Sequence, residues 1–429
     1  MPRTASAKQW HTSHLLKLLL VLMGLSFSTR SFAAEDSGAT AKPVRDAVVL
    51  SDEALRIHRA APVFDGHNDL PWELRQKHQS QLATVNLREV QPTLQTDIPR
   101  LRQGGVGAQF WSAYVPADTA RTGGAARQTL EQIDLIHRIV RQYPDVFEMA
   151  STADDVERIR AAGKIASLIG IEGGHSIENS LGVLRTFYEL GARYMTLTHA
   201  DTLDWADAAT DAPRHGGLSL FGIEVVREMN RLGMLVDISH VSVETMKAAL
   251  RATKAPVIAS HSSAYSIAKH PRNVPDEVLV LIKQNRGVIM VNFFSGFVVP
   301  ESAQVMADMF AVHRELRIKY PDDAEFKKAL VAWQEAHPIA AGTVHDVVDH
   351  IEHIIKVAGP EHVGLGSDFD GVTKVPVQLE DVSCYPFITQ ELLNRGHTPD
   401  EINAILGGNV LRALREAEQV ARDWSNDDP

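Results

Sequence analysis

Eight short apolar segments recur along the chain, most of them separated by stretches with helical periodicity, and this alternation constrains the fold more than any other feature. The segments are Pro62–Asp65, Val106–Tyr114, Ile165–Ile171, Tyr194–Thr198, Met234–Ile238, Val257–Ser260, Gly287–Asn292 and His362–Gly366. Each is a continuous apolar run, not an alternating one, as expected for strands covered on both faces. Between them, Thr129–Gln142 places Leu130, Ile133, Ile136 and Val140 at helical spacing, and Leu220–Leu232, Val243–Leu250 and Thr343–Ala358 repeat the pattern. Strand–helix alternation on this scale predicts an α/β protein with a (β/α)8 TIM-like barrel. The competing arrangement, an open doubly wound sheet, usually carries a glycine-rich phosphate turn after its first strand. Here that strand runs into Gly66-His67-Asn68-Asp69, which is no such turn.

The 429 residues, 44% hydrophobic and 23% charged, suffice for one large packed domain. The first 33 residues differ from the rest. They carry Arg3, Lys8, Lys17 and Arg30, no acidic residue, an apolar stretch from Leu15 to Phe27, and small residues around Ala33. This is the pattern of a secretory signal peptide cleaved near Ala33, the apolar core being too short to span a bilayer. Residues 34–46 read as a flexible leader, and 47–429 as a single barrel domain. Pro300–Pro338 forms a charged, helical insertion between the seventh and eighth strands. Loss of the signal would remove four positive charges and move the net charge from −11 to about −15. So acidic a chain is a poor ligand for nucleic acid or an anionic membrane. Cys384 is the only cysteine, which excludes disulfides within the chain and leaves none after the apolar core for a lipoprotein anchor. The polar stretch Ala421–Pro429 has no hydrophobic tail to direct a lipid anchor. The expectation is an exported protein, periplasmic or secreted, with no stable membrane anchor.

In such barrels the active site gathers where the strands end. The first expected strand ends in Asp65-Gly66-His67-Asn68-Asp69 and the third in Glu172-Gly173-Gly174-His175. The fourth, fifth and sixth end in His199, His240 and His261, and the eighth in Asp368 and Asp370. A lone histidine at a strand end is usually a packing residue. Ligand-type residues at six ends of one scaffold point instead to a metal. Imidazole nitrogen and carboxylate oxygen bind zinc at about 2.0–2.2 Å. His67 and Asp69 can turn to one metal, and His240 and His261 come from neighbouring strands. Glu172 lies between these pairs and can bridge two ions about 3.5–4 Å apart. Other histidines read differently. His175 is near the site but could merely orient a loop; His215 and His270 fit loops. His345, His350 and His353 fit one packing or solvated helix face, and Cys384 a buried, inert position.

Several longer motifs resemble the membrane dipeptidase (renal dipeptidase) family. They are His67-Asn68-Asp69-Leu70-Pro71-Trp72, Glu172-Gly173-Gly174-His175, Tyr194-Met195-Thr196-Leu197-Thr198-His199 and Asp237-Ile238-Ser239-His240. His261-Ser262-Ser263-Ala264-Tyr265, continuing to Arg272-Asn273-Val274-Pro275-Asp276, and Gly366-Ser367-Asp368-Phe369-Asp370-Gly371 complete the set, which runs from about Val63 to Leu411. The resemblance implies a peptidase with two zinc ions: His67 and Asp69 on one, His240 and His261 on the other, Glu172 bridging. It also implies that His199 contacts substrate and stabilises the oxyanion, that Arg272 binds the C-terminal carboxylate of a dipeptide, that Asp368 transfers the proton, and that the protein is a homodimer. Two features depart from the mammalian members. Their substrate-contacting tyrosine near the seventh strand has no counterpart in Asn292-Phe293-Phe294-Ser295-Gly296-Phe297, and their disulfides and lipid anchor cannot be copied. The side-chain preference is therefore open, while the zinc chemistry is not affected.

Three other readings compete. Another metal hydrolase on the same barrel would act on a lactone, β-lactam or amidated nucleobase, and would not need Arg272. A non-catalytic periplasmic metal-binding protein would not need the full catalytic set. A glycoside hydrolase would use two carboxylates and no histidine cluster.

Overall fold

The computed structural model describes residues 45–427. The expected signal peptide and nearly all of the expected leader lie outside the described residues. Nine strands are present: β1 Val63–Asn68, β2 Val106–Tyr114, β3 Phe147–Met149, β4 Ile165–Glu172, β5 Ala192–Thr196, β6 Leu235–Asp237, β7 Val257–Ala259, β8 Val288–Val291 and β9 Val363–Leu365. All their pairings are parallel. β1 joins β2 to β9, and β2 pairs with β4 from Ala108↔Ala166 to Tyr114↔Glu172. That last pairing closes an eight-stranded ring and rules out the open sheet. Each of the eight expected segments overlaps one barrel strand. The strand not foreseen, β3, lies outside the ring against Ile165–Ser167 of β4, leaving Ile169–Ile171 to pair with β5.

Every residue of β1, β4, β5, β6, β7, β8 and β9 is buried. Their continuous apolar character follows from this: one face meets the barrel interior and the other the surrounding helices. Phe64, Phe110, Leu168, Tyr194, Leu235, Ile258 and Met290 belong to one buried cluster that continues into Val410, Ala413, Leu414 and Ala417. These last four lie on the helix Asn409–Asp427, which touches β1, β6, β7, β8 and β9 and covers the N-terminal end of the barrel. One end is thus packed shut, and polar side chains accumulate at the other. Gly170 on β4 makes room for this packing, since a Cβ there would lie 2.0 Å from the ring of Tyr194.

The outer helices begin where serine or threonine can cap them. Ser219 and Ser242 accept from the backbone N–H of Gly222 and Thr245, at the starts of Leu220–Leu232 and Val243–Ala252. Thr343 forms a capping box with Asp346 before Val344–Ala358. The 300–338 stretch contains two helices, Pro300–Lys319 and Asp323–Ala336. Among the described residues, no helix is long and apolar enough to cross a membrane.

Candidate metal centre

The residues singled out at the strand ends converge on one point. His67, near the end of β1, has its Nε2 3.2 Å from Asp69 Oδ2 and 3.4 Å from Glu172 Oε2. Glu172, the last residue of β4, turns its other oxygen, Oε1, to His240 Nε2 at 3.2 Å and to His261 and His199 Nε2 at 3.6 Å each. The Nε2 atoms of His240 and His261 are 2.8 Å apart. Three overlapping groups of ligand atoms result: His67, Glu172 and His261; Glu172, His199 and His240; and His67, Asp69 and Asp368. Glu172 is common to two of them, with one oxygen toward His67 and the other toward the His240 side.

These side chains fit a cation. Nε2 of His67 and Oδ1 of Asp69 are buried and have no hydrogen-bond partner, an arrangement that is unfavourable unless a positive charge lies between them. The opposite nitrogens are anchored: His67 Nδ1 lies 2.8 Å from the hydroxyl of Tyr194, and His261 Nδ1 2.8 Å from Ser260 Oγ. Such outer bonds fix ring orientation and leave Nε2 to face a metal. A nitrogen and oxygen set of this kind suits zinc or a similar divalent ion.

Two buried aspartates hold the strand ends that carry the ligands. Asp65 accepts from Ser367 Oγ and Tyr385 OH, both at 2.6 Å, and from Ser367 N at 2.9 Å, joining β1 to the end of β9. Asp237 accepts from Ser260 Oγ at 2.6 Å, Ser260 N at 2.8 Å, Ser239 N at 3.0 Å and Thr196 Oγ1, joining β5, β6 and β7. His240 and Asp368 both adopt the left-handed backbone region, at φ 67° and 65°. At Gly371 a Cβ would lie 2.2 Å from Asp69 Oδ2 and 2.6 Å from Asp368 Oδ1, so only glycine lets this turn approach the cluster.

A cavity of about 380 Å³ opens over the cluster, lined by Asp69, Glu172, His199, His240, Arg272 and Asp368 together with Trp72, Tyr114, Phe294, Phe297 and the 370–373 turn. Burial lowers the imidazolium pKa of His199 to about 4, against the pull of Glu172, so the ring is neutral at ordinary pH. Burial pushes the Asp368 carboxyl upward, and Asn292 Nδ2 donates to its Oδ2 at 2.8 Å. Arg272 is 3% exposed. It donates from Nη1 to Ser262 Oγ and from Nη2 to the His261 carbonyl, both at a long 3.3 Å, and its Nε has no partner. Among the described residues it has no ion-pair partner. Burial lowers its pKa to about 10, although Asp368 and Glu172 pull it upward.

Residues 51–428 match the membrane dipeptidase family, Peptidase family M19. The chain belongs to this family. It is a metallopeptidase. Dipeptidase 3 of Mus musculus is 43% identical over 376 residues, covering 86% of this chain and 67% of its own. Dipeptidase verJ of Clonostachys rogersoniana is 40% identical over 393 residues, covering 88% and 91%. Among solved structures, the probable dipeptidase PvdM of Pseudomonas aeruginosa superposes with a TM-score of 0.75 at 25% identity, covering 86% of this chain and 98% of its own.

Within this family member the other histidines that the sequence raised as candidates have partners outside the cluster. His175 bonds the Val115 carbonyl through Nε2 at 3.1 Å, and His215 bonds that of Leu203 at 3.0 Å. His345, His350 and His353 share the helix Val344–Ala358 but have separate partners: the Asp46 carbonyl, the Val298 carbonyl and Asp276. Cys384 is buried. His270 lies in a loop, as expected, and is buried there, 4.6 Å from the ring of Phe297. Sequence reasoning did not single out Tyr194 or Asn292 for orienting His67 and Asp368, nor the edge-to-face pair Trp72–Tyr114 in the cavity wall. Tyr114 did carry a signal, as the last residue of an expected strand.

Proposed function

We propose that this chain hydrolyses the peptide bond of dipeptides at two zinc ions held by His67, Asp69, Glu172, His240 and His261, with Glu172 as the bridge. Zinc in such a site acidifies water and polarises a carbonyl as a Lewis acid. The chain's own groups do the rest. Arg272 binds the C-terminal carboxylate through charge-assisted bonds. His199, kept neutral by burial, donates an N–H to the carbonyl oxygen as negative charge develops there. Asp368, steadied by Asn292, moves a proton to the leaving amine.

The observation that carries this reading is Arg272: a buried cation without an ion-pair partner, in the same small cavity as the ligand cluster. A lactone or nucleobase substrate with no free carboxylate gives it no role. The test is metal analysis of the purified protein, combined with a panel of L,L and L,D dipeptides and their C-terminal amides, with and without a chelator. Cleavage of free dipeptides over amides, lost on chelation, is the expected result. No cleavage of any dipeptide by metal-loaded protein would favour a binding protein instead. The pattern of the first 33 residues supports export to the periplasm or medium, which fractionation with an epitope tag would check. Assembly as a homodimer is supported by the family alone and is tested by light scattering.

A further inference from the structure

The two-helix hairpin formed by Pro300–Lys319 and Asp323–Ala336 packs against the back of the cavity wall. Phe294 and Phe297 line the cavity and meet edge to face at 4.9 Å. Behind them they share a cluster with Met306 of the hairpin, joined by Met309, Phe310, Ile339 and Val372. The packing is close: a Cβ on Gly296 would lie 2.5 Å from both Met306 Cγ and Phe294 Cε1. The base of the hairpin is fastened to the same segment, with Ser295 Oγ donating to the Ala341 carbonyl at 2.6 Å and Ser302 Oγ to that of Ala340 at 3.0 Å.

The hairpin also reaches Arg272 by two routes. The guanidinium carbon lies 5.3 Å from the centre of the Phe297 ring. His270 sits between Phe297, at 4.6 Å, and Phe310, at 5.9 Å, and its Nδ1 accepts from the backbone N–H of Arg272 at 3.2 Å. The chain of contact from Phe310 through His270 thus ends on the backbone of the residue assigned to the substrate carboxylate. With the carboxylate on Arg272, the adjoining substrate side chain would be within reach of Phe297, whose ring centre is 5.3 Å from the guanidinium carbon, and of its neighbour Phe294.

We propose that the hairpin is the specificity wall for the substrate's C-terminal residue, with Met306 and Phe310 as positioning residues that set the Phe294–Phe297 face of the cavity, Met306 directly and Phe310 through His270. This rests on the dipeptidase reading above. The ligand cluster and Asp368 lie on other elements, so the hairpin should govern binding of the C-terminal residue and leave the chemical step unchanged.

The test uses the full metal-loaded enzyme with Phe310→Ala, Met306→Ala and Phe310→Leu. KM and kcat are measured on dipeptides that share an N-terminal residue and end in Gly, Leu or Phe, and Tm is recorded for each variant. Phe310→Ala and Met306→Ala are expected to reduce the preference for Leu or Phe over Gly roughly tenfold through KM, with kcat within about twofold, since apolar pocket contacts discriminate on that scale. Phe310→Leu should restore most of the preference. An equal loss across all three substrates, a loss in kcat alone, or no change would overturn the proposal. Arg272→Ala in parallel separates the two levels. If it raises KM for dipeptides while the hairpin variants leave selectivity intact, only the wall assignment fails. If it leaves KM unchanged, the carboxylate clamp fails as well.

Discussion

Replacing Arg272 should separate binding from folding. The guanidinium is buried, its two hydrogen bonds are 3.3 Å long, and its Nε bonds to nothing. A guanidinium whose pKa burial lowers to about 10 bears uncompensated desolvation on the order of 3 kcal/mol, at about 1.4 kcal/mol per tenfold. A substrate carboxylate relieves that penalty and adds charge-assisted bonds. Truncating one partner of such a buried pair costs about 2–5 kcal/mol, which corresponds to a loss of ~30-fold to several thousandfold in kcat/KM. Arg272→Met should therefore raise KM for free dipeptides by at least about 30-fold. The ratio of free dipeptide to its C-terminal amide should collapse toward one. Because the substitution removes an uncompensated charge and fills the space with methylenes, Tm of the substrate-free protein should hold or rise. Steady-state kinetics on the dipeptide–amide pair and calorimetry without substrate supply both readouts. A Tm lower by many degrees with an unchanged KM ratio would refute the reasoning, because Arg272 would then be a structural cation.

Removing the metal should abolish hydrolysis and lower Tm, since a ligand present at a thousand times its Kd stabilises by about 4 kcal/mol; differential scanning calorimetry before and after dialysis against chelator, with zinc add-back, measures this. Gly371→Ala would place a Cβ 2.2 Å from Asp69 Oδ2; bound metal by elemental analysis should fall and kcat should drop at least about a hundredfold, as expected when catalytic groups move by about an ångström. Asp237→Ala leaves the donors of Ser239, Ser260 and Thr196 without their acceptor; the urea midpoint should fall by the equivalent of about 3 kcal/mol or more.

The barrel was legible because its signal is local. Parallel strands covered on both faces are mostly apolar until the polar groups at their C-terminal ends, and each such run announces itself. β3 escaped notice because three residues, Phe147–Met149, carry too little pattern to distinguish from a loop. The convergence of the candidate ligands was legible because imidazoles and carboxylates are out of place at the ends of apolar runs. The groups that aim them were not. Tyr194 reads as one more aromatic strand residue, and only the closed barrel brings its hydroxyl to His67, which is 127 residues away in sequence. Asn292 and Asp368 are 76 residues apart. His270 reads as a loop residue and is one, but nothing local reports that Phe297 and Phe310 enclose it. Contacts between elements distant in sequence depend on the three-dimensional arrangement, and a single sequence does not contain that arrangement explicitly.

The left-handed backbone at His240 and Asp368 has a consequence for how the protein can change. Each non-glycine residue held at φ near 65° stores on the order of 1 kcal/mol that the rest of the fold must outweigh. Glycine at either position would relax the chain while deleting a proposed ligand or the proposed acid. Two of the chain's strained turns thus sit at proposed functional residues, and thermostable descendants of this enzyme should carry their gains elsewhere, in the outer helices, with these two turns left strained.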